Sequence, residues 1–194
     1  EYHHLFVFSC IRILGEDIVA QIMIPPYPKS AMDGYAVRAE DTLGADREHP
    51  VTLQIVGELF AGDCAEIPYE EGCAVRVMTG SYVPEGYDAV IRQEDTDYGE
   101  KQVQIYREIT AGTNYCCVGE DIREGEQILA RGTHLRALHM GLLASLGIYK
   151  VPVCERIKCS ILSTGSELMA PGTPLLPGKI YNSIAYMLRA SVER

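Results

Sequence analysis

The chain has 194 residues, of which 47% are hydrophobic, and a formal net charge of −10. That composition is globular rather than disordered, with room for one large domain or roughly two to three small ones. The acidity, with no run of Lys or Arg, argues against nucleic acid and anionic membrane as partners but leaves a small anionic ligand open, because local amides and one Arg can hold it.

The opening stretch, EYHHLFVFSCIRIL, is apolar but short. It lacks the basic start and small-residue cleavage site of a secretory signal. No stretch reaches the roughly 18 apolar residues that a membrane span needs. The seven cysteines, Cys10, Cys64, Cys73, Cys116, Cys117, Cys154 and Cys159, are odd in number and contain no CxxC pair. They predict reduced thiols in a cytoplasmic protein. Neither they nor His3-His4 have zinc-ligand spacing, so no metal follows from spacing.

Residues 1–20 fit either a strand or a helix. DIVAQIMIPP is predicted to be extended up to Pro25-Pro26, and the Asp33-Gly34 pair that follows is a strong turn signal. From Pro50 to Glu108 the pattern is β, in four short runs: VTLQIVGEL, CAVRVMTG, DAVIRQED and KQVQIYREI. GTNYCCVGEDIREGEQILARGTHL reads as Gly-punctuated extended chain. THLRALHMGLLASLGI predicts a helix, with Thr133 as N-cap, Leu135, Leu138, Leu142, Leu143 and Leu146 at helical spacing, and Gly147 as the stop. IKCSIL reads as a strand buried on both faces. The Gly turn STGSEL, a turn-rich loop and the helix IAYMLRASVER follow, as at the opening of an α/β domain. One such unit cannot bury both faces of a sheet, so this domain is expected to be cut short.

Four polar clusters stand where apolar segments end. Ser30 and Asp33 fit a local turn in which the carboxylate caps nearby amides. Thr79-Gly80-Ser81 fits an ordinary hairpin connection or, through its hydroxyls and free amides, an oxyanion cradle; no lysine completes a P-loop. Glu120-Asp121 fits a solvated acidic turn, a Mg²⁺ site or an acid/base pair. Ser163, Thr164, Gly165, Ser166 and Glu167 fit a phosphate cradle at a strand end, or a tight turn with Glu167 in the first helical positions.

Taken in order, PPYPKSAMDGYAVRAED, RVMTGSYVPEGYDAVI, VGEDI, GLLASLGI and ILSTGSELMAPGTPLLPGKIYNSIAYML resemble the molybdopterin molybdotransferases, the MoeA and gephyrin E-domain group, from about Asp17 onward. The resemblance implies an α+β multidomain fold. An elongated linker and dimerisation domain would comprise 1–37 and 121–152, a β-rich domain 38–120, and an incomplete α/β molybdopterin-binding domain 153–194. It implies insertion of molybdenum from molybdate into adenylated molybdopterin, with Mg²⁺ and release of AMP. By the same match, Asp33, Thr79, Asp121 and Glu167 carry catalysis, and Ser163, Thr164, Gly165, Ser166 and Glu167 bind the pterin. The implied assembly is a homodimer whose site faces the β-rich domain of one subunit with the α/β domain of the other, served by a molybdopterin adenylyltransferase.

The chain departs from the family pattern at three places. The family's α/β domain is longer and is followed by a further β-rich domain. NYCCV stands where many members carry arginines, so a bidentate anion holder is lost there, with Arg38 and Arg123 nearby in sequence. EYHHLFVFSC does not read as a polar helical start. The alternative to an enzyme is a non-catalytic pterin-binding or scaffolding module of the same family.

Overall fold

The computed structural model describes residues 2–5 and 11–192. The expectations for Glu1, residues 6–10 with Cys10, and the last two residues lie outside it. The chain divides into a larger unit within His3–Val153 and a smaller one carried by the residues from Cys154 onward.

In chain order come β1 (Tyr2–Leu5), whose Tyr2 is grouped with the smaller unit, and then, within the larger unit, β2 (Ile18–Val19), β3 (Lys29–Ser30), β4 (Gly34–Val37), β5 (Val51–Leu59), β6 (Cys73–Val77), β7 (Ala89–Arg92) and β8 (Gln102–Ile105). Then come β9 (Tyr115–Cys116), β10 (Gln127–Leu129), α1 (Ala137–Ser145) and β11 (Lys150–Val153). The four β runs read from the sequence are β5, β6, β7 and β8. Together with β4 they form one five-stranded sheet in the order β7-β4-β6-β5-β8. Only the β5–β6 pair is parallel, and its register shifts between Ile55 and Gly57. β4 precedes residue 38, yet it is hydrogen-bonded on both sides within this sheet.

Alternation explains the packing. Tyr35 and Val37 of β4 enter one cluster with Leu53, Ile91, Val103 and Ile105, whereas Ala36 enters another with Val75, Val77, Val83 and Val90. β4 is therefore buried along its whole length, as a strand covered on both faces must be. β8 alternates exposed and buried residues and closes the sheet as an edge.

A third cluster, Leu14, Ile18, Leu129, Leu135, Leu143, Val151 and Val153, joins α1 to the short β2–β10 ladder and to β11. The helix starts later than Thr133. The Thr133 hydroxyl donates to the Ala130 carbonyl at 2.6 Å, closing a turn. His134 bridges Ile13, and the Leu135 N–H donates to the Arg12 carbonyl at 2.8 Å. Pairing with the N-terminal segment thus holds 133–135 extended, against their local helical preference. Leu135 and Leu143 are buried, but Leu138, predicted to be on the apolar face, is 87% exposed. The stop at Gly147 is as read, with φ +72°.

The smaller unit holds β12 (Leu168–Met169), β13 (Ile180–Tyr181) and α2 (Ser183–Val192), with β12 and β13 parallel. The strand predicted at IKCSIL does not form: Ile157 and Leu162 are 94% and 90% exposed. A buried parallel strand needs neighbours on both edges, and among the described residues the only sheet in this unit is the two-stranded β12–β13. The final helix is present as read.

Candidate functional site

Two backbone ribbons hold the Pro25–Asp33 segment. On one side, the Ser30 N–H donates to the Ser81 carbonyl at 3.0 Å, the Gly80 N–H to the Ser30 carbonyl at 2.8 Å, and the Val83 N–H to the Pro28 carbonyl at 3.0 Å. On the other side, β3 pairs with β9, and the Ala31 N–H donates to the Asn114 carbonyl at 3.0 Å. Ser30 is buried, and its hydroxyl both donates to the Met32 carbonyl and accepts from the Met32 N–H, so the local turn is made by Ser30.

Asp33 does something else. Its Oδ1 accepts two hydrogen bonds from Thr79, from the backbone N–H at 2.7 Å and from the hydroxyl at 2.7 Å. The partner is 46 residues away, which corrects the expectation of a carboxylate capping its own turn. The pairing follows from the sheet. Gly34 opposes Val77 across β4–β6, so Asp33 and Thr79 leave the same end of neighbouring strands. Asp33 is exposed, and the Thr79 hydroxyl, followed by the Thr79 amide, holds its carboxyl below the usual carboxylate range. Oδ2 accepts no hydrogen bond from the described residues, which leaves it as an anionic acceptor on an exposed residue.

Thr79-Gly80-Ser81 is consequently not a cradle of free amides. The three N–H groups donate to Asp33, Ser30 and Met78 respectively. The Ser81 side chain, fully buried, closes the turn on Met78. Glu120 and Asp121 do not act as a pair of presented carboxylates. Glu120 Oε2 accepts from the Cys117 N–H at 2.9 Å, a local cap. The Asp121 N–H donates to the Ile24 carbonyl at 2.9 Å, which places it at the Ile24 end of the ribbon, whereas Asp33 follows its Ser30 end. The Asp121 carboxylate accepts no hydrogen bond from the described residues. Arg38 is engaged elsewhere, with Glu40 at 3.4 Å and over the Tyr69 ring.

In the smaller unit, Glu167 directly precedes β12 rather than opening a helix, and its carboxylate folds back over Gly165, where an added Cβ would lie 2.8 Å from it. The Ser163 hydroxyl lies 3.2 Å from Asn182 Oδ1, which also accepts from the Ala185 N–H at 3.1 Å. Lys179 Nζ donates to the Ser166 carbonyl at 2.6 Å. Thr164 is exposed and outside any helix or strand. Asn182 and Lys179 were missed from the sequence, although an Asn just before an apolar helical run is an N-cap signature.

Among the described residues no three His, Cys, Asp or Glu side chains gather closely enough to hold a metal ion. No helix there is long and apolar enough to cross a membrane.

Residues 5–147 match the family profile of the MoeA N-terminal region (domain I and II). The chain belongs to this family. It is 43% identical over 181 residues to molybdopterin molybdenumtransferase 2 of Mycobacterium tuberculosis, covering 93% of this chain and 45% of that protein. The corresponding figures are 38%, 94% and 44% for the molybdopterin molybdenumtransferase of Haemophilus influenzae, and 39%, 94% and 43% for that of Bacillus subtilis. The crystal structure of the molybdopterin biosynthesis moeA protein from Pyrococcus horikoshii OT3 superposes with a TM-score of 0.91 at 38% identity, over 99% of this chain and 51% of that one. The mixed, mostly β architecture is thus that of MoeA proteins, and the chain spans about half the length of the relatives it matches.

Proposed function

We propose that this MoeA-family chain serves in a molybdopterin molybdotransferase, inserting molybdenum from molybdate into adenylated molybdopterin with release of AMP. Its relatives carry that enzyme's name, and the observation that carries the reading to a residue is the Asp33–Thr79 clamp. A carboxylate with a lowered pKa is fully ionised at neutral pH and is a weak base there. Its task is therefore to hold a hydrogen-bond donor of the substrate, not to abstract a proton. Molybdate, a deprotonated oxyanion at neutral pH, has no hydrogen-bond donor to offer, whereas the pterin has N–H groups, so Asp33 works on the pterin side. Thr79 spends both donors on keeping Oδ1 fixed, which leaves Oδ2 aimed at the ligand.

Asp121 and Glu167 join Asp33 and Thr79 in the proposed catalytic set, and Ser163, Thr164, Gly165, Ser166 and Glu167 in pterin binding. A cytoplasmic homodimer and a molybdopterin adenylyltransferase as supplier belong to the same reading, as does a three-domain division at residues 120/121 and 152/153 whose first boundary, expected at 37/38, is moved ahead of β4 because Gly34–Val37 pair on both sides within the β-rich sheet. The described residues do not assemble a Mg²⁺ site. Mg²⁺ enters only as an ion carried with the substrate's phosphates.

The test is molybdate-dependent AMP release from adenylated molybdopterin by the gene product that contains this sequence. Asp33→Asn, which keeps the shape and removes the charge, is expected to lower the rate by about a hundredfold, the scale of lost substrate positioning. An unchanged rate overturns the assignment.

A further inference from the structure

Next to the Asp33 turn, the larger unit contains a cavity of about 330 Å³ whose walls include Met32, Arg92, Asp95, Arg107, Ile109 and Asn114. The Gln93 N–H donates to the Asp33 carbonyl at 3.1 Å, so Arg92 is fixed in register with the turn. Asp95 Oδ2 accepts from Arg92 Nε at 3.1 Å and from its terminal nitrogen at 2.9 Å. That carboxylate orients Arg92 while leaving its other terminal nitrogen uncommitted. Arg107 approaches the same oxygen only to 4.0 Å, too far for a hydrogen bond, and donates to no other described group. Two guanidinium groups therefore share one carboxylate, a local charge of +1 in a chain whose net charge is −10.

This arrangement has the chemistry of an oxyanion site. A planar guanidinium with free parallel N–H groups matches a phosphate or carboxylate bidentately. The volume exceeds what a bare oxyanion needs and reaches the range of small-molecule pockets. Ile109, 9% exposed, and Met32 give it an apolar wall. We propose that the cavity binds a phosphate monoester, with its phosphate on Arg107 and the free edge of Arg92, and its organic part against Met32 and Ile109. The proposal does not rest on the molybdotransferase reading, because the arginines are outside the set proposed for that reaction.

The experiment is a titration of the intact chain with phenyl phosphate and, separately, inorganic phosphate, read by the side-chain N–H resonances of Arg92, Arg107 and Asn114. No pterin, molybdate or turnover is involved, so its failure is distinct from failure of the enzymatic reading. Phenyl phosphate is expected to give saturable shifts at these groups, to bind tighter than inorganic phosphate, and to weaken as salt is raised. Arg107 is a mostly exposed side chain, so Arg107→Ala should leave the rest of the spectrum unchanged while weakening binding about tenfold. Arg107→Lys should recover only part of that loss, because it keeps the charge without the fork. Absence of saturation, or unchanged binding in Arg107→Ala, overturns the site. Equal affinity for the two probes overturns the organic half of the ligand.

Discussion

Replacing Gly34 by Ala should be among the most damaging single-methyl changes in this chain. Gly34 does not have a positive φ, so its backbone alone would accept Ala. The obstacle is the neighbouring strand. A Cβ at position 34 would stand 1.9 Å from the Ile91 carbonyl oxygen, 2.9 Å from its carbon and 3.1 Å from the Arg92 Cα. All three are backbone atoms and cannot rotate away, so β4 and β7 must separate by more than 1 Å, from 1.9 Å to ordinary contact beyond 3 Å. Overpacking of this kind costs about 1–3 kcal/mol. Separation also stretches the end of the ladder, including the Gln93 N–H bond to the Asp33 carbonyl, and about two lost bonds add roughly 2 kcal/mol. Restriction of the unfolded chain by Ala returns about 0.5–1 kcal/mol. The net expectation is a loss of about 2–4 kcal/mol, with Asp33 displaced from Thr79. Urea unfolding followed by far-UV circular dichroism measures it. Gly141→Ala, in the interior of α1 with nothing within 4 Å of the new methyl, is the control and should stabilise by about 0.5–1 kcal/mol. If Gly34→Ala unfolds at the wild-type urea midpoint, close strand approach is not why glycine occupies this position.

Further consequences of the same structure are open to measurement. Thr79→Val removes the hydroxyl donor from Asp33, so the Asp33 carboxyl, followed by NMR, should titrate at higher pH than in the wild type. Because the folded-state pKa is lowered, the stabilisation from this clamp is present above the unfolded-state pKa and lost as pH falls through the folded one. The difference between wild type and Thr79→Val should therefore shrink on acidification. Leu143→Ala, emptying a fully buried position between α1 and β11, should cost about 2–5 kcal/mol in chemical denaturation. Asn182→Ala removes the acceptor for the Ala185 N–H and should reduce helicity at α2 by the worth of one N-cap, about 1 kcal/mol, read from helical NMR shifts at Ser183–Val192.

Local chemistry alone determined a good part of this protein. The β runs that became β5 to β8 are bounded by Gly, Pro and Asp, and their side chains suit a pleated surface, so short-range preference and tertiary pairing agree. The final helix and the Gly147 stop were legible for the same reason, as was the family, because its motifs lie in order along the chain. Tertiary structure decided where preference and partner disagree. Thr133 has the chemistry of an N-cap, but pairing with residues 12–13 keeps 133–135 extended. IKCSIL has the composition of a buried strand, yet among the described residues it pairs with no strand and stays exposed. Asp33 was chosen from the sequence, but its partner was not, because a carboxylate and a threonine 46 residues apart meet only once β4 and β6 are set in register. The same holds for the Arg92–Asp95–Arg107 cavity. Residue type fixes what a side chain can do, and sheet register fixes what it does it to.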